Sequence, residues 1–536
     1  MLPVRDREIK QLPQAEHDKL GLLSCHPAVL QLSQRRYPLF LGLAITVILV
    51  LHLVRLSDLP AGLYLDEGSV GINAIGIAQA GVDEFGTPWP IYFRAFSEYK
   101  NPIYIYLTAL IFKISGISEH NLRLPSFLFY AGGLAFSLLL IAKLFGRRRP
   151  LEVYALVTLG VLPMYFLISR IAFEVISQFT WVAATNVCLW QTFEAPSDKP
   201  KRRLFWALAS GLLMGTSIYT YTTARLLSLL MLLTVWGVYW GKSRLKLLLA
   251  ITVTFGISLL PYVYFVVSNP GAITSRFRIV SYLYWDISLL EKVRLFVTHY
   301  LTYISPRFLI NVGDPNWRHT TSIGGIVFAT TLFLFIIGLI AMLQKGRRID
   351  RFSLFLILNL VFSPVAGSLT FESIPQSLRV HLLAYYMVII SCFGLQCLLS
   401  ISDLQLRRLL SLGVAVLLAY EIIGYQIDFL VPIQRVAFGR WKASRFSKRS
   451  STALTKILSV SYSLMHRATP TQILSFIERC CVMTRLSRLR CQKIPPSIQA
   501  TVLPILGGVK PCSMSVHPTH SRSSCRGIRP IGSRTY

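Results

Sequence analysis

The sequence predicts an all-α integral membrane protein, and three observations lead to this fold class. Hydrophobic residues make up 53% of the 536 residues and charged residues only 15%, and the mean hydropathy is +0.53. Apolar runs long enough to cross a hydrocarbon core of about 30 Å recur between residues 40 and 430. Basic residues cluster in the short loops between those runs, as they do in the cytoplasmic loops of membrane proteins.

About eleven apolar segments are predicted to span the membrane as helices of roughly 20 residues each. They lie near residues 40–57, 123–146, 151–169, 171–193, 204–223, 225–241, 247–267, 322–344, 352–370, 380–400 and 409–430. A shorter apolar stretch, residues 102–117, either crosses the membrane or lies on its surface. We interpret it as an interfacial helix, because this choice places the short basic loops and the N-terminus on one side.

This topology divides the chain into three parts. Residues 1–39 form a cytoplasmic leader, and residues 40–430 form the transmembrane domain. Two long loops of that domain face outward, residues 58–122 and 268–321, and a membrane surface lies beside both. Membrane lipid is therefore one expected partner.

Residues 431–536 differ in composition from the rest of the chain. They contain 18 Lys or Arg and a single acid, Glu478, and so contribute +17 of the net charge of +31. We interpret them as a basic C-terminal tail that is either disordered or translated in an altered reading frame. The remaining basic residues lie mostly in short loops between apolar segments. No basic run outside the apolar segments is interleaved with aromatic residues, so no nucleic-acid partner is predicted.

The first outward loop brings acids and a lysine to the membrane surface. Asp66 and Glu67 begin a predicted helix that runs to residue 80, which Gly81 can close. In a structural interpretation, Asp66 caps the helix and Glu67 adds a favourable first-turn charge. In a catalytic one, a carboxylate takes the proton of a sugar acceptor and Lys100 stabilises a departing phosphate.

Several motifs resemble those of the C-type, multi-span glycosyltransferases, which include protein O-mannosyltransferases and lipid A aminoarabinose transferases. Asp66 and Glu67 stand where the family has its acidic pair. Residues 99–102, Tyr-Lys-Asn-Pro, resemble the family's Glu-Lys-Pro-Pro element, with Tyr99 and Asn101 as departures. Residues 116–126, which end in Leu-Arg-Leu-Pro-Ser, are very similar to the family's entry into its second span.

The resemblance implies the C-type glycosyltransferase fold and the transfer of a sugar from a polyprenyl-phosphate donor. The acceptor is then a protein, lipid or glycan on the non-cytoplasmic face. Asp66 is the implied catalytic base, Glu67 assists it, and Lys100 holds the donor phosphate. Because downstream motifs resemble bacterial members, the expected location is the bacterial inner membrane with the active site outward. The motifs are compatible with a divalent metal and equally with no cofactor.

Further ionisable residues stand at the predicted outer ends of spans. Arg170 and Glu174 are four residues apart, so on a helix they would share a face and pair, either structurally or as a supporting element of the site. Asp314 fits a tight turn, and His319 is a supporting candidate. The candidate ligands for the donor phosphate are Arg225, Arg276, Arg318 and Arg379. For Arg225 a carboxylate partner is an equal alternative, and Arg379 also fits the membrane edge.

A transporter or flippase for a lipid-linked or anionic solute is the alternative function. Such proteins tend to keep ionisable residues at mid-membrane and to contain paired repeats. Most predicted spans here lack charge at mid-depth, and no internal repeat is evident in the sequence. The transferase is therefore the preferred hypothesis.

Overall fold

A computed structural model describes residues 27–430 except 61, 96–97, 197–198, 317–318, 320–323 and 345–348. The predictions for the leader before residue 27 and for the tail 431–536 lie outside the described residues. The described part is mainly helical. Its helices are α1 (Pro27–Leu53), α2 (Leu65–Ala80), α3 (Pro102–Ser115), α4 (Glu119–Phe145), α5 (Arg149–Val161), α6 (Pro163–Ile168), α7 (Val175–Phe193), α8 (Pro200–Thr216), α9 (Ala224–Tyr239), α10 (Leu245–Ser258), α11 (Leu260–Ser268), α12 (Ser275–Val280), α13 (Leu289–Tyr303), α14 (Ala329–Leu343), α15 (Arg351–Phe362), α16 (Val365–Ser368), α17 (His381–Leu399) and α18 (Leu404–Leu430).

Each predicted span overlaps one or two of these helices. Within the described residues, five helical stretches are long and apolar enough to cross a membrane. They are Glu119–Phe145, Lys242–Ser268, Arg351–Ser368, Ser377–Leu399 and Leu404–Phe429. Shorter apolar helices occupy other predicted spans, for example Ala224–Tyr239 and Ala329–Leu343. The all-α membrane class is confirmed, and the number of crossings stays a prediction.

Three predicted spans are each a pair of helices, and a proline lies at each break. Residues 151–169 form α5 and α6, with Pro163 as the first residue of α6. Pro261 lies in the first turn of α11, and Pro364 directly precedes α16. Proline has no backbone N–H to donate and its ring clashes with the preceding turn. Hydropathy does not register such a break, because the flanking residues remain apolar.

Glycines allow the central helices to pack closely. Gly133 of α4 faces an aromatic ring of α7, and Gly338 of α14 lies against Gly394 of α17. A Cβ at any of the three positions would collide with the facing ring or backbone. Small residues let membrane helices approach in this way. The packing of α4 on α7 brings together the helix ends that carry Arg123 and Glu174.

The chain between α1 and α4 builds a small structured region from α2, α3 and a two-stranded sheet. Strand β1 (Phe93–Ala95) pairs antiparallel with β2 (Glu98–Lys100). The prediction of a helix after these strands is confirmed by α3. Tyr104 and Thr108 of α3 are buried, whereas Leu110 and Ile114 are exposed. Its position at the membrane surface stays a prediction.

Candidate active site

The neighbouring acids Asp66 and Glu67, in the first turn of α2, lie in different environments. The N-cap residue is Tyr64, whose backbone N–H donates to the Glu67 carboxylate at 3.0 Å. The expectation that Asp66 is the N-cap is wrong, because Asp66 is already the second residue of α2, and the Glu67 side chain at the third position reaches back to the Tyr64 N–H. The predicted helix end is confirmed by Gly81, with a φ of 71°. The Asp66 side chain remains 42% exposed, whereas that of Glu67 is fully buried.

Arg123, in the first turns of α4, neutralises the buried carboxylate of Glu67. Nε of Arg123 lies 2.9 Å from Oε1 of Glu67, and Nη2 lies 3.2 Å from Oε2. The other guanidinium hydrogens are donated to the carbonyl oxygens of Leu56, Pro60 and Gly62. All five guanidinium donors are therefore used. This pair fixes the chain segment before α2 against the start of α4.

Lys100, the last residue of β2, contacts two carboxylates of the same loop. Its Nζ lies 2.6 Å from Oδ1 of Asp66 and 2.9 Å from Oε1 of Glu98. Residues two apart in a strand share a face, so Glu98 and Lys100 project together. Tyr99 projects to the other face, where its ring packs 5.2 Å from that of Phe265. The family's motif has its acid directly before the lysine, where this chain has Tyr99. The strand nevertheless brings the carboxylate of Glu98, one residue earlier, beside Lys100.

Two side chains of this loop have shifted pKa values. Burial by itself lowers the pKa of Lys100, but the charges of Asp66, Glu98 and Glu174 outweigh it and hold that pKa above its ordinary value. The ammonium form therefore persists at neutral pH. Burial raises the pKa of Glu84 to about 7. Glu84 consequently changes its charge close to neutral pH.

Glu174, directly before α7, is held by Asn101. The backbone N–H of Asn101 donates to Oε1 at 3.0 Å and its side-chain amide to Oε2 at 2.6 Å. A proline at this position would lack the backbone donor. Nη2 of Arg225 lies 3.3 Å from the Asn101 side-chain oxygen, and Nη1 lies 3.4 Å from the carbonyl oxygen of Ile273. Arg225 is thus linked to Glu174 through the side-chain amide of Asn101. Its guanidinium lies over the ring of Tyr92.

Arg170 and Glu174 do not form the predicted pair. The chain turns between α6 and α7, so the helical spacing that would align the two side chains does not exist. Arg170 donates instead to the carbonyl oxygens of Leu51 and His52, at 2.8 and 2.9 Å, and to that of Val54. These carbonyls end α1. The pairing prediction is wrong because a hydropathy pattern does not show where the helix breaks, and Arg170 serves to secure the end of α1.

Arg276 and Arg379 meet at one carboxylate, that of Glu372. Nη2 of Arg276 lies 2.7 Å from this carboxylate, and Nη2 of Arg379 lies 3.5 Å from it. Nε of Arg276 also lies 3.4 Å from Oε2 of Glu98. Through Glu98 the network continues to Lys100. The structure therefore joins three residues predicted as phosphate ligands into a single charge network.

His319 lies beside Asp314 in the second outward loop, with Nδ1 3.0 Å from Oδ2. Asp314 is buried, and its Oδ2 also accepts hydrogen bonds from the backbone N–H and the hydroxyl of Ser377, at 2.8 and 3.0 Å. It is therefore more than a turn former, since it ties the loop to the entry of α17. The His319 ring lies 6.1 Å from that of Phe173, next to the α7 entry. Arg318 lies outside the described residues.

Two residues that form ion pairs with the predicted site residues were not singled out from the sequence. They are Arg123, which pairs with Glu67, and Glu372, which pairs with Arg276 and Arg379. Arg123 is the arginine of the Leu-Arg-Leu-Pro-Ser string, at the start of an apolar span. A charge in that position needs a partner in the low dielectric of the membrane, so this signal could have identified it. Glu372 is one of several loop acids, and nothing in its neighbours distinguishes it.

The arrangement offers a partly exposed carboxylate, Asp66, beside a charged lysine, with further arginines within the same network. Such a set can accept a proton from an acceptor group and bind an anion next to it. Within the described ranges, no group of three or more His, Cys, Asp or Glu is arranged to hold a metal ion.

The chain has the fold of the C-type membrane glycosyltransferases, as its motifs led us to expect. No protein-family model and no curated protein matches the sequence. The solved structure of ArnT from Cupriavidus metallidurans bound to undecaprenyl phosphate is 16% identical, with a TM-score of 0.51 over 81% of this chain and 74% of that chain. The same protein in the apo state is 16% identical, with a TM-score of 0.49 over 81% and 73%.

An oligosaccharyltransferase from Archaeoglobus fulgidus, in complex with zinc and sulfate, is also similar. It is 14% identical, with a TM-score of 0.47 over 71% of this chain and 52% of that chain. ArnT, a lipid A aminoarabinose transferase, and this oligosaccharyltransferase are both C-type glycosyltransferases. At these identities, the likeness to ArnT establishes the fold of the present chain, and its activity is a separate question.

Proposed function

We propose that this protein is a glycosyltransferase that moves a sugar from a polyprenyl-phosphate donor to an acceptor on the non-cytoplasmic side of the membrane. The observation that carries the proposal is the 2.6 Å contact between Lys100 and Asp66. In the proposal, Lys100 is the cation that binds the phosphate, and the partly exposed carboxylate of Asp66 beside it is the base. The undecaprenyl phosphate bound in the ArnT structure supports the donor class.

In the proposed reaction, a hydroxyl or amine of the acceptor attacks the anomeric carbon of the donor sugar. The bond from that carbon to the phosphate oxygen breaks, and its electron pair leaves with the polyprenyl phosphate. Asp66 takes the proton of the acceptor. Lys100 stabilises the negative charge that grows on the phosphate, so its interaction is stronger in the transition state than in the ground state.

Lys100 couples donor binding to the base in this proposal. In the resting protein its ammonium is shared between Asp66 and Glu98, at 2.6 and 2.9 Å. A donor phosphate competes with both carboxylates for the same ammonium. Donor binding therefore weakens the hold of Lys100 on Asp66, whose carboxylate becomes a better proton acceptor once its cation is shared.

The other predicted site residues have supporting roles in the proposal. Glu67 positions the start of α2 rather than contacting substrate, because it is fully buried against Arg123. Glu174 holds the N-terminus of α3 through its bonds to residue 101. His319 steadies the second outward loop. The proposed additional ligands of the donor phosphate are Arg225, Arg276, Arg318 and Arg379.

Transfer of labelled sugar from a panel of polyprenyl- and dolichyl-phosphate sugars by purified, reconstituted protein tests the proposal. Asp66→Asn removes the base while keeping the side-chain shape, and we expect a rate loss of about 10²- to 10⁴-fold. Asp58→Asn is the matched control. Its carboxylate is 62% exposed and its salt bridge to Arg55 is long, at 3.9 Å, so we expect an unchanged rate.

Two outcomes would contradict the proposal in different ways. Full activity of Asp66→Asn would remove Asp66 as the base and leave the transfer reaction standing. If the wild type uses no lipid-phosphate sugar while reconstituted vesicles show flux of an anionic or lipid-linked solute, the transferase assignment is wrong.

A further inference from the structure

A second candidate site lies at the helix ends opposite the candidate active site. A cavity of about 210 Å³ opens between the ends of α4 and α7 and the start of α8. Its walls include Lys143, Trp190, Arg202 and Arg203. Because α7 has 19 residues that each rise 1.5 Å, about 28 Å separate this cavity from Glu174 at the other end of the helix.

Positive charge dominates this cavity. Lys143 lies in the last turn of α4, and Arg202 and Arg203 lie in the first turn of α8. The charge of Arg202 acts on Lys143, so the two repel each other. No acidic residue lines the cavity among the described residues. Asp198, which precedes α8, lies outside them.

The described contacts of Lys143 and Arg203 are to uncharged groups. Nε of Arg203 donates to the carbonyl oxygen of Thr192 at 3.0 Å, and Nζ of Lys143 lies over the ring of Trp190 at 5.1 Å. The N-terminus of α8 adds its own partial positive charge and has no acid in its first turn. Basic residues at a helix N-terminus are electrostatically unfavourable there, and a bound anion would remove this cost.

We propose that the cavity binds a phosphate group, and that this phosphate belongs to the headgroup of an anionic membrane lipid. Two arginines and a lysine suit phosphate oxygens, to which guanidinium groups donate in pairs. The cavity is several times larger than the roughly 30 Å³ share of one water molecule, so it has room for such a group. Trp190 fits a lipid headgroup better than a free ion, because tryptophan favours the membrane interface.

The position of the cavity also favours a lipid. It lies among the ends of apolar helices, where basic pockets between spans bind anionic headgroups. By the predicted topology this end is cytoplasmic, whereas the proposed donor binds at the outward end. The proposed lipid is therefore distinct from the donor of the transfer reaction, and the inference does not depend on that reaction.

Lipid binding to the full-length protein in detergent tests the inference, with native mass spectrometry and the thermal unfolding midpoint as readouts. The probes are phosphatidylglycerol, phosphatidylcholine and inorganic phosphate. The cavity variant is Lys143→Gln/Arg202→Gln/Arg203→Gln. The matched control, Lys242→Gln/Lys246→Gln/Arg408→Gln, loses the same charge from exposed side chains. The single variant Arg202→Gln changes only one exposed residue of the cavity. It still tests the site if the triple variant fails to fold.

We expect the wild type and the control to retain phosphatidylglycerol in preference to phosphatidylcholine, and to be stabilised by it. The cavity variant should bind phosphatidylglycerol about tenfold or more weakly, and Arg202→Gln should show part of that loss. Equal binding by the cavity variant, Arg202→Gln and the control would overturn the proposal. Stabilisation of the wild type by inorganic phosphate, with no further effect of the lipid, would keep the phosphate site and overturn its lipid source.

Discussion

Arg123 and Glu67 form a fully buried ion pair, 2.9 Å between Nε and Oε1, in which every guanidinium donor has an acceptor. Glu67 is equally satisfied, because it also accepts the backbone N–H of Ala172 at 2.9 Å. The pair joins the segment before α2, the start of α4 and the turn before α7. Asp66 directly precedes Glu67 in the chain, so the pair sets the backbone from which the proposed base projects.

Removing one partner of this pair should be costly. Arg123→Met leaves the Glu67 carboxylate buried and unpaired, and we expect it to lower the free energy of unfolding by about 3–5 kcal/mol. Arg123→Lys keeps the charge but cannot supply five donors, so it should fall between the methionine variant and the wild type. The thermal unfolding midpoint in detergent measures this order.

Arg55→Met is the control for Arg123→Met, because the Arg55 side chain is half exposed and its salt bridge is long, at 3.9 Å. It should leave the unfolding midpoint nearly unchanged. A midpoint of Arg123→Met equal to that of Arg55→Met would show that the buried pair does not stabilise the fold.

Loss of the Lys100 ammonium should weaken donor binding. Lys100→Met removes a charge-assisted hydrogen bond worth about 1.5–3 kcal/mol, so we expect the Kd for the polyprenyl-phosphate sugar to rise by about tenfold to a hundredfold. Lys113→Met, at the exposed end of α3, is the matched control in the same loop. Titration of both variants with the donor compares them, and equal affinities would argue against Lys100 as the phosphate ligand.

Glu84 should make stability depend on pH. Its pKa is about 7 in the folded protein, mainly through burial, against an ordinary value of 4.5. Between these two values the folded state holds a proton that the unfolded state has released. The free energy of unfolding therefore falls as the pH rises from about 4.5 to about 7.

Glu84→Gln should remove this contribution. Relative to that variant, the wild-type unfolding midpoint should drop between about pH 4.5 and about pH 7. Glu291→Gln, a partly exposed acid of α13 with a long salt bridge of 3.6 Å, provides the reference. The assignment to Glu84 is wrong if the wild type and Glu84→Gln respond to pH in parallel.

Asn101 should be intolerant of the proline that the resembling motif has there. Its φ of −81° is close to what proline adopts, so the backbone can accept the change. Asn101→Pro nevertheless removes both donors to Glu174, each worth about 1–3 kcal/mol when the acceptor is buried. Asn101→Ala removes only the side-chain donor. Unfolding midpoints should decrease from wild type to alanine to proline, and a proline variant as stable as alanine would contradict the role of the backbone N–H.

The helical spans were predictable because each depends on local composition. Apolar runs of sufficient length imply helices in a membrane, where backbone groups must be satisfied within the segment. The same reasoning did not reveal the break between α5 and α6 inside one predicted span. It failed for Arg170 and Glu174, since their predicted pairing required a helix that the chain does not continue.

The sequence by itself determined the membrane class, the helix over residues 65–80 with its end at Gly81, and the presence of Asp66, Glu67 and Lys100 in one loop. Only the tertiary structure decided their different positions: Asp66 beside Lys100, and Glu67 buried against Arg123, 56 residues away in the chain. The physical reason is that periodicity and hydropathy report on neighbours along the chain. Ion pairs between distant segments depend on how α2, α4 and the turn before α7 pack.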